Sequence, residues 1–230
     1  MKKVFALFVI IGLSYGLAEG QTEKETRDLK GFTSVGFGIP GNLYIKIGPQ
    51  FSVELEGSRG DLSEVETVIS GERLQIKHEN WRFDFREKVN VYITMPELEG
   101  LGVSGSGSAE IQSTVKTEDL DLNVSGSGNI YTEGLEAENF ECRISGSGNI
   151  KLGGGKAADA EVSISGSGSF SGDLTECETM EVQVSGSGNC TCNVTGSLEA
   201  SVSGSGNVTY SGNPRVDARV SGSGRVRTSN

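Results

Sequence analysis

The sequence predicts an all-β protein whose main body is a parallel β-helix, or β-solenoid, with about 18–21 residues per turn. The first reason is a repeated segment, Val-Ser-Gly-Ser-Gly or its Ile variant, with spacings of 21, 20, 20, 20, 18 and 18 residues. The second is that every copy carries the same two-residue alternation of apolar and polar side chains, which is typical of strands. The copies begin at Val103, Val124, Ile144, Ile164, Val184, Val202 and Val220.

The residues that flank the repeats favour a wound β ribbon over a flexible Ser/Gly linker. Two residues before each copy stands an apolar or small side chain: Leu101, Leu122, Cys142, Val162, Val182, Ala200 and Ala218. A repeat of this length can wind once and place each copy above the last, about 4.7–4.9 Å away. Seven copies therefore predict seven turns and a rod of roughly 30–35 Å.

Inside each repeat, the small and polar residues have separate expected roles. If the alternation continues, both glycines of a copy, such as Gly126 and Gly128, face inward and allow a tight bend or close packing. The serines and the following asparagines are expected to form hydrogen-bonded ladders along the outside or at a corner. Those asparagines are Asn129, Asn149, Asn189 and Asn207.

The chain before the repeats divides into three segments. Residues 1–20 combine a basic start, an apolar run and small residues before a cut after Gly20, which predicts a signal peptide and export to the periplasm, cell surface or exterior. Residues 21–30 are expected to be a flexible lead-in. Residues 31–98 are β-rich and 99–230 form the Ser/Gly-repeat solenoid, so that 31–230 make one domain. No second apolar run of about 20 residues follows, which predicts no membrane span.

The β-rich segment lacks the repeat, but five stretches of it alternate or run apolar. They are residues 32–37, 42–47, 51–56, 73–77 and 89–94, and a short helical turn is expected at 61–65. We expect this part to cover the open edge of the first turn. At the other end, Arg215, Arg219, Arg225 and Arg227 are charges that discourage strand addition at an exposed edge. Self-association through that C-terminal edge is the alternative.

Composition excludes several classes of protein. The 230 residues include 34 glycines but only 4 prolines and no three-residue period, which excludes collagen. A formal net charge of −11 without a basic stripe argues against nucleic-acid binding. A single histidine, His78, removes most His-based triads and any multi-His metal site. No cofactor is expected.

Several segments resemble a known family. They are Gly-Phe-Thr-Ser-Val at 31–35, Tyr-Ile-Lys-Ile-Gly at 44–48 followed by Phe-Ser-Val-Glu-Leu at 51–55, and Val-Tyr-Ile-Thr-Met-Pro-Glu-Leu at 91–98 running into the first repeat. From about residue 31 to 226 the chain resembles the putative auto-transporter adhesin, head GIN domain family of exported bacterial proteins. The resemblance implies a single β-helical domain behind a signal peptide. It implies no catalytic residues, because the family has none established.

One acid stands three residues before each copy from the second onward. The set is Asp121, Glu141, Glu161, Glu181, Glu199 and Asp217. In a stacked solenoid these residues form an outward column whose neighbours repel by roughly 1 kcal/mol in water. Oxygen ligands suit Ca²⁺, so a calcium stripe is one interpretation. A solvated acidic face is favoured, because calcium-binding β-roll repeats carry aspartates within their glycine-rich turns and these turns carry serine.

The four cysteines are Cys142, Cys177, Cys190 and Cys192. Cys142, Cys190 and Cys192 align with inward columns, which predicts a buried thiol for Cys142. An oxidising compartment permits one disulfide, with Cys177 of a loop joined to Cys192 or Cys190. Zinc is disfavoured, because no His or cysteine pair sits in a turn at ligand spacing.

These observations leave three functional hypotheses. The first is a non-enzymatic exported solenoid that acts as an adhesin-like binding module for a polymer, glycan or protein. The second is a carbohydrate-processing enzyme on the same scaffold, which would need a pair of acids set apart from the periodic background. The third is an envelope structural or homeostasis protein.

Trp81, Phe83 and Phe85 form an aromatic-rich patch with His78. We favour a role for this patch in covering the end of the solenoid over a role in stacking on a sugar.

Overall fold

The fold is a β-solenoid of about six turns, extended at its N-terminal end by further strands. The computed structural model describes residues 22–79 and 87–229. The signal peptide expected at 1–20 and the aromatic patch residues Trp81, Phe83 and Phe85 lie outside the described residues. The solenoid is one turn shorter than the seven expected, because seven copies of the corner motif bound six intervals.

The strands of the N-terminal part are short and those of the solenoid are long. The N-terminal elements are β1 (Thr22–Arg27), β2 (Ser34–Phe37), β3 (Gly41–Ile47), β4 (Ser52–Ser58), α1 (Arg59–Ser63), β5 (Val65–Ser70), β6 (Arg73–His78), β7 (Val89–Met95) and β8 (Gly100–Gly105). The solenoid contains β9 (Ser108–Gly126), β10 (Asn129–Gly146), β11 (Asn149–Gly166), β12 (Ser169–Gly186), β13 (Asn189–Gly204), β14 (Asn207–Ser211), β15 (Arg215–Gly222) and β16 (Arg225–Thr228). No helix in the described ranges could cross a bilayer.

Successive turns pair in parallel and in register, which confirms the predicted β-solenoid. Val124 lies beside Ile144, Ile144 beside Ile164 and Ile164 beside Val184. The column continues through Val202 to Val220. The residues of this column as far as Val202 are buried, and the buried core is one cluster that runs from Phe32 to Val208.

The N-terminal part continues the walls of the solenoid. One wall runs β5-β6-β2-β8-β9 and another runs β1-β4-β7-β3-β9. The outermost strand of each wall, β5 or β1, is antiparallel to its neighbour. Five expected strands and the helical turn correspond to β2, β3, β4, β6, β7 and α1.

The expected flexible lead-in at 21–30 is wrong for residues 22–27, which form β1. All six residues of β1 pair with β4. Lys24 explains why so charged a segment is held in place. Its Nζ lies 2.7 Å from Glu54 Oε1 and 3.5 Å from Glu56 Oε2, and it sits 5.7 Å from the centre of the Tyr92 ring.

The two glycines of each corner have different tasks, which corrects the expectation that both face inward. Gly126 is half-buried and has a backbone φ of +115°, which residues other than glycine rarely adopt. Gly128 is buried, and a Cβ there would lie 2.6 Å from Val103 Cγ1 and 2.7 Å from the Gly107 carbonyl oxygen. The first glycine therefore makes the bend, and both glycines allow the turns to approach closely, because a Cβ on Gly126 would also lie 2.7 Å from the Gly105 carbonyl oxygen.

Part of the expected asparagine ladder is present, as two hydrogen-bonded pairs at the starts of turns. Asn149 Nδ2 donates to Asn129 Oδ1 at 2.9 Å, and Asn207 Nδ2 donates to Asn189 Oδ1 at 3.0 Å. Ser169 stands between these two pairs in the register. The ladder fixes the height of one turn on the next, because each amide side chain donates to the turn below it.

Candidate binding groove

An open groove of about 720 Å³ runs along the solenoid between two rows of polar side chains. We name one row the acid ladder; it consists of Asp121, Glu141, Glu161, Glu181, Glu199 and Asp217. We name the other the mixed ladder; it consists of Asp119, Asn139, Asp159, Thr179, Ser197 and Arg215. Both ladders follow the parallel register, so each member lies beside the equivalent residue of the next turn.

The alternation of the strands builds this groove. Between the two ladders lie Leu120, Phe140, Ala160, Met180 and Leu198, whose side chains are all buried in the core. Residues on either side of such a position point outward, because successive side chains of a strand face opposite ways. The ladders are therefore the walls of the groove, and the chain at the buried positions is its floor.

Hydrogen bonds along the mixed ladder fix the orientation of some of its side chains. Asn139 Nδ2 donates to Asp119 Oδ1 at 2.8 Å. Two turns further along, Thr179 Oγ1 donates to Asp159 Oδ1. Each bond joins neighbouring turns, and each leaves carboxylate oxygens of the acceptor open to the groove.

The acid ladder is paired with arginines near its ends. Arg143 contacts Glu141 and lies 3.6 Å from Asp121 Oδ2. Arg219 lies 3.7 Å from Glu199 Oε1 and 3.5 Å from Asp217 Oδ2. In the middle, Gln183 Nε2 donates to Glu181 Oε1 at 2.7 Å. Within the described part of the chain, no ion pair reaches Glu161 or Glu181, so the centre of the groove has the least compensated negative charge.

The predicted acid column stacks as expected, with one acid on each turn. Across residues 22–79 and 87–229, no group of three or more His, Cys, Asp or Glu side chains is placed to hold a metal ion. The acids stand in a row, one per turn, and do not converge on a point. A calcium role for this column stays a prediction.

All four cysteines are free and buried in the core. Cys177 lies in strand β12 and not in a loop as expected. Burial, together with the neighbouring thiol of Cys192, raises the pKa of Cys177 to about 12. A hydrogen bond with Cys192 and then burial raise the pKa of Cys190, and burial raises that of Cys142. The disulfide between Cys177 and Cys192 stays a prediction.

The sequence reasoning missed the mixed ladder. Its members are polar and stand five residues before each Val/Ile-Ser-Gly-Ser-Gly copy from the second onward, a position that holds Asp, Asn, Asp, Thr, Ser and Arg in turn. The signal was present as a shared polarity at a fixed offset, although no single residue type repeats there.

A second surface carries exposed aromatic residues and was also missed. The rings of Tyr44 and Tyr92 stack at a centroid distance of 5.2 Å and an interplanar angle of 16°. Their faces are therefore turned toward each other and are not free to cover a sugar ring. Tyr131, on the same outer side, is 41% exposed. This surface offers less to a ligand than the groove does.

Solved structures share this fold. A putative adhesin from Bacteroides fragilis NCTC 9343 has a TM-score of 0.86 and 24% identity, with 90% of this chain and 97% of that chain covered. A putative adhesin from Parabacteroides distasonis ATCC 8503 has a TM-score of 0.76 and 23% identity, with 92% and 98% covered. A putative lipid binding protein from the same strain has a TM-score of 0.76 and 20% identity, with 92% and 98% covered.

No curated protein matches the sequence. The profile of one family matches residues 31–214, which include the N-terminal part and most of the solenoid with its groove. The resemblance noted from the residues is thereby confirmed. The chain belongs to the putative auto-transporter adhesin, head GIN domain family.

Proposed function

We propose that this protein is an exported, non-enzymatic binding module of the adhesin type, and that its groove takes an extended basic polypeptide segment. The observation that carries the proposal is the pair of polar ladders with uncompensated carboxylates at its centre. The adhesin description of the family supports a binding role. The net charge of −11 supports a cationic partner, because opposite charge steers association.

The dimensions of the groove suit a chain rather than a compact ligand. Six members of the acid ladder, spaced by about 4.8 Å, span roughly 24 Å. That is the length of about seven residues of extended polypeptide. The acid ladder places one carboxylate on each turn, and Asp119 and Asp159 add two on the other side, so lysine or arginine side chains along the segment would find acidic neighbours.

Binding is favoured over catalysis because the groove repeats itself. Acid–base catalysis needs two carboxyl groups in different environments, one protonated and one ionised. Glu161 and Glu181 are both exposed and hold equivalent positions of the acid ladder, one turn apart. The second candidate, a carbohydrate-processing enzyme, predicts release of products from a panel of polysaccharides and loss of that release when one groove acid is replaced.

The test is titration calorimetry with an oligolysine of about eight residues, matched to the length of the groove, at low and at moderate salt. We expect binding that weakens steeply with salt, and at least about tenfold weaker binding by the triple variant Glu141→Gln, Glu161→Gln, Glu181→Gln. Unchanged binding by this variant would overturn the groove assignment.

The matched control removes the same charge elsewhere. Glu110→Gln, Glu133→Gln and Asp173→Asn lie on the solenoid but do not line the groove. We expect this triple variant to bind oligolysine almost as well as the wild type. Equal loss in both variants would show a net-charge effect without a site. Tight, salt-independent binding of a neutral glycan would instead favour a carbohydrate ligand.

Export has its own test. We expect the protein in the envelope or exterior fraction, with Gln21 as its N-terminal residue after cleavage behind Gly20. Recovery of the intact Met1 form from the cytoplasm would contradict this part of the proposal.

The envelope structural role remains the other non-enzymatic candidate. The absence of binding in all of these experiments would favour it.

A further inference from the structure

The outer edge of β15 is the most exposed part of the fold. Strand β15 pairs with β13 on one side, and among the described residues no strand lies beside its other edge. All eight of its residues are exposed. Val216 and Val220 continue the inward columns of Leu198 and Val202, yet they are 37% and 45% exposed. An edge of this kind is a template for another strand.

The opposite end of the molecule is finished differently. There the walls end in β1 and β5, which run antiparallel to their neighbours. Strand β1 is composed mostly of charged residues, and its Lys24 is paired with Glu54 and Glu56. At β15, by contrast, apolar column residues are left at the surface.

The sequence of β15 is complementary to itself when the strand is reversed. In an antiparallel pair, residues directly opposite each other place their side chains on the same face of the sheet. With a two-fold axis at Ala218, Val216 faces Val220 of the other copy and Ala218 faces its equivalent. Asp217 then faces Arg219, and by symmetry this acid–base pair occurs twice.

The neighbouring registers lack this match. Moving the axis to Asp217 places two aspartates opposite each other, and moving it to Arg219 places two arginines opposite each other. Moving it by half a residue places Asp217 opposite Val220, so that a charge meets an apolar residue. Like charges directly opposite are destabilising, and a mixed face loses the burial of the valines.

We propose that two copies of this protein associate tail to tail, by antiparallel pairing of β15 with β15 about a two-fold axis at Ala218. The interface is isologous, because the same strand is used on both sides. It joins the sheets of two solenoids and covers the valines at the end of the core. The arginines of β16, Arg225 and Arg227, stand outside this ladder and keep the association weak through their like charge.

Sedimentation analysis over a range of protein concentrations tests the pairing at moderate salt. We expect a reversible monomer–dimer equilibrium in the wild type. Asp217→Arg and Arg219→Asp each place like charges opposite, and each should weaken the dimer at least about tenfold. The double variant with both changes restores opposite charges in the same register and should recover the dimer. A monomeric wild type, or no recovery in the double variant, would overturn the proposal.

Cross-linking provides a test that does not depend on the charges of the strand. The axis brings residue 218 of both copies together, so we expect Ala218→Cys to give a disulfide-linked dimer on mild oxidation. Arg215→Cys is the control, because position 215 faces Ser221 of the other copy. Equal cross-linking by the two variants, or none by Ala218→Cys, would contradict the register.

Discussion

Burial keeps the four cysteine side chains out of reach of reagents. Cys142, Cys190 and Cys192 are at most 2% exposed, and Cys177 is 4% exposed. The thiolate is the reactive form, and it is disfavoured in an apolar core. We expect no reaction of the native protein with a thiol reagent at about pH 8, and reaction of all four thiols after unfolding without reductant. Reaction of only two would show that one disulfide is present.

The raised pKa of Cys177 makes part of the stability dependent on pH. The pKa rises from 9.0 to about 12, so the folded state keeps its proton where the unfolded chain loses it. The contribution is fully present below about pH 9 and is lost toward pH 12, by about 1.4 kcal/mol per pH unit. We therefore expect the advantage of the wild type over Cys177→Ala, measured by denaturant unfolding, to shrink between about pH 9 and 11. An advantage that is constant with pH would contradict this.

At the level of the turn, the glycines of each corner allow the coils to stack closely, and the second glycine tests this without the positive φ of the first. A Cβ on Gly148 would clash with the Gly128 carbonyl oxygen and with Val124. We expect Gly148→Ala to lower the free energy of unfolding by about 1–3 kcal/mol. Gly154→Ala is the matched control, because nothing lies within 4 Å of a Cβ there. Equal destabilisation in the two variants would show that close approach is not the cause.

The ladders lead to a prediction about metal. The acids are arranged in a row and the described residues provide no converging ligand set, so we expect EDTA to leave the melting temperature unchanged. Added Ca²⁺ should produce only the small shift that general charge screening gives, and equal ionic strength of NaCl is the control. A specific rise with Ca²⁺ that EDTA reverses would instead support the calcium interpretation of the acid column.

The elements differ in how far the sequence could predict them. The long strands were predictable because a motif with a fixed period places Val124, Ile144 and Ile164 in one column. Strand β1 was not predictable, because charged residues such as Lys24 and Glu25 give no apolar alternation. The side chain that pairs with Lys24, Glu54 of strand β4, lies 30 residues away in the sequence. The acid ladder was visible as one residue class, whereas the mixed ladder became a wall only when the strands were stacked.

Across the whole molecule, stability is expected to fall toward the last turn. Strands β10, β11 and β12 each have a parallel neighbour on both sides, whereas β15 and β16 have one neighbour each. These neighbours are counted among residues 22–79 and 87–229. In hydrogen exchange we expect β10–β12 to be the most protected and β15–β16 to exchange earliest. Uniform protection along the chain would show that the solenoid opens only as one unit.

The in-register stacking of near-identical turns also makes the length of the protein adjustable. Duplication of one 20-residue unit, such as the stretch from Asn129 to Gly148, would insert a new coil whose upper and lower surfaces already match its neighbours. Such an insertion would lengthen the body by about 4.8 Å and add one member to every column. Loss of a unit would shorten the molecule by the same length. Selection can therefore tune the reach of this protein by copying or deleting whole coils, without redesigning the core.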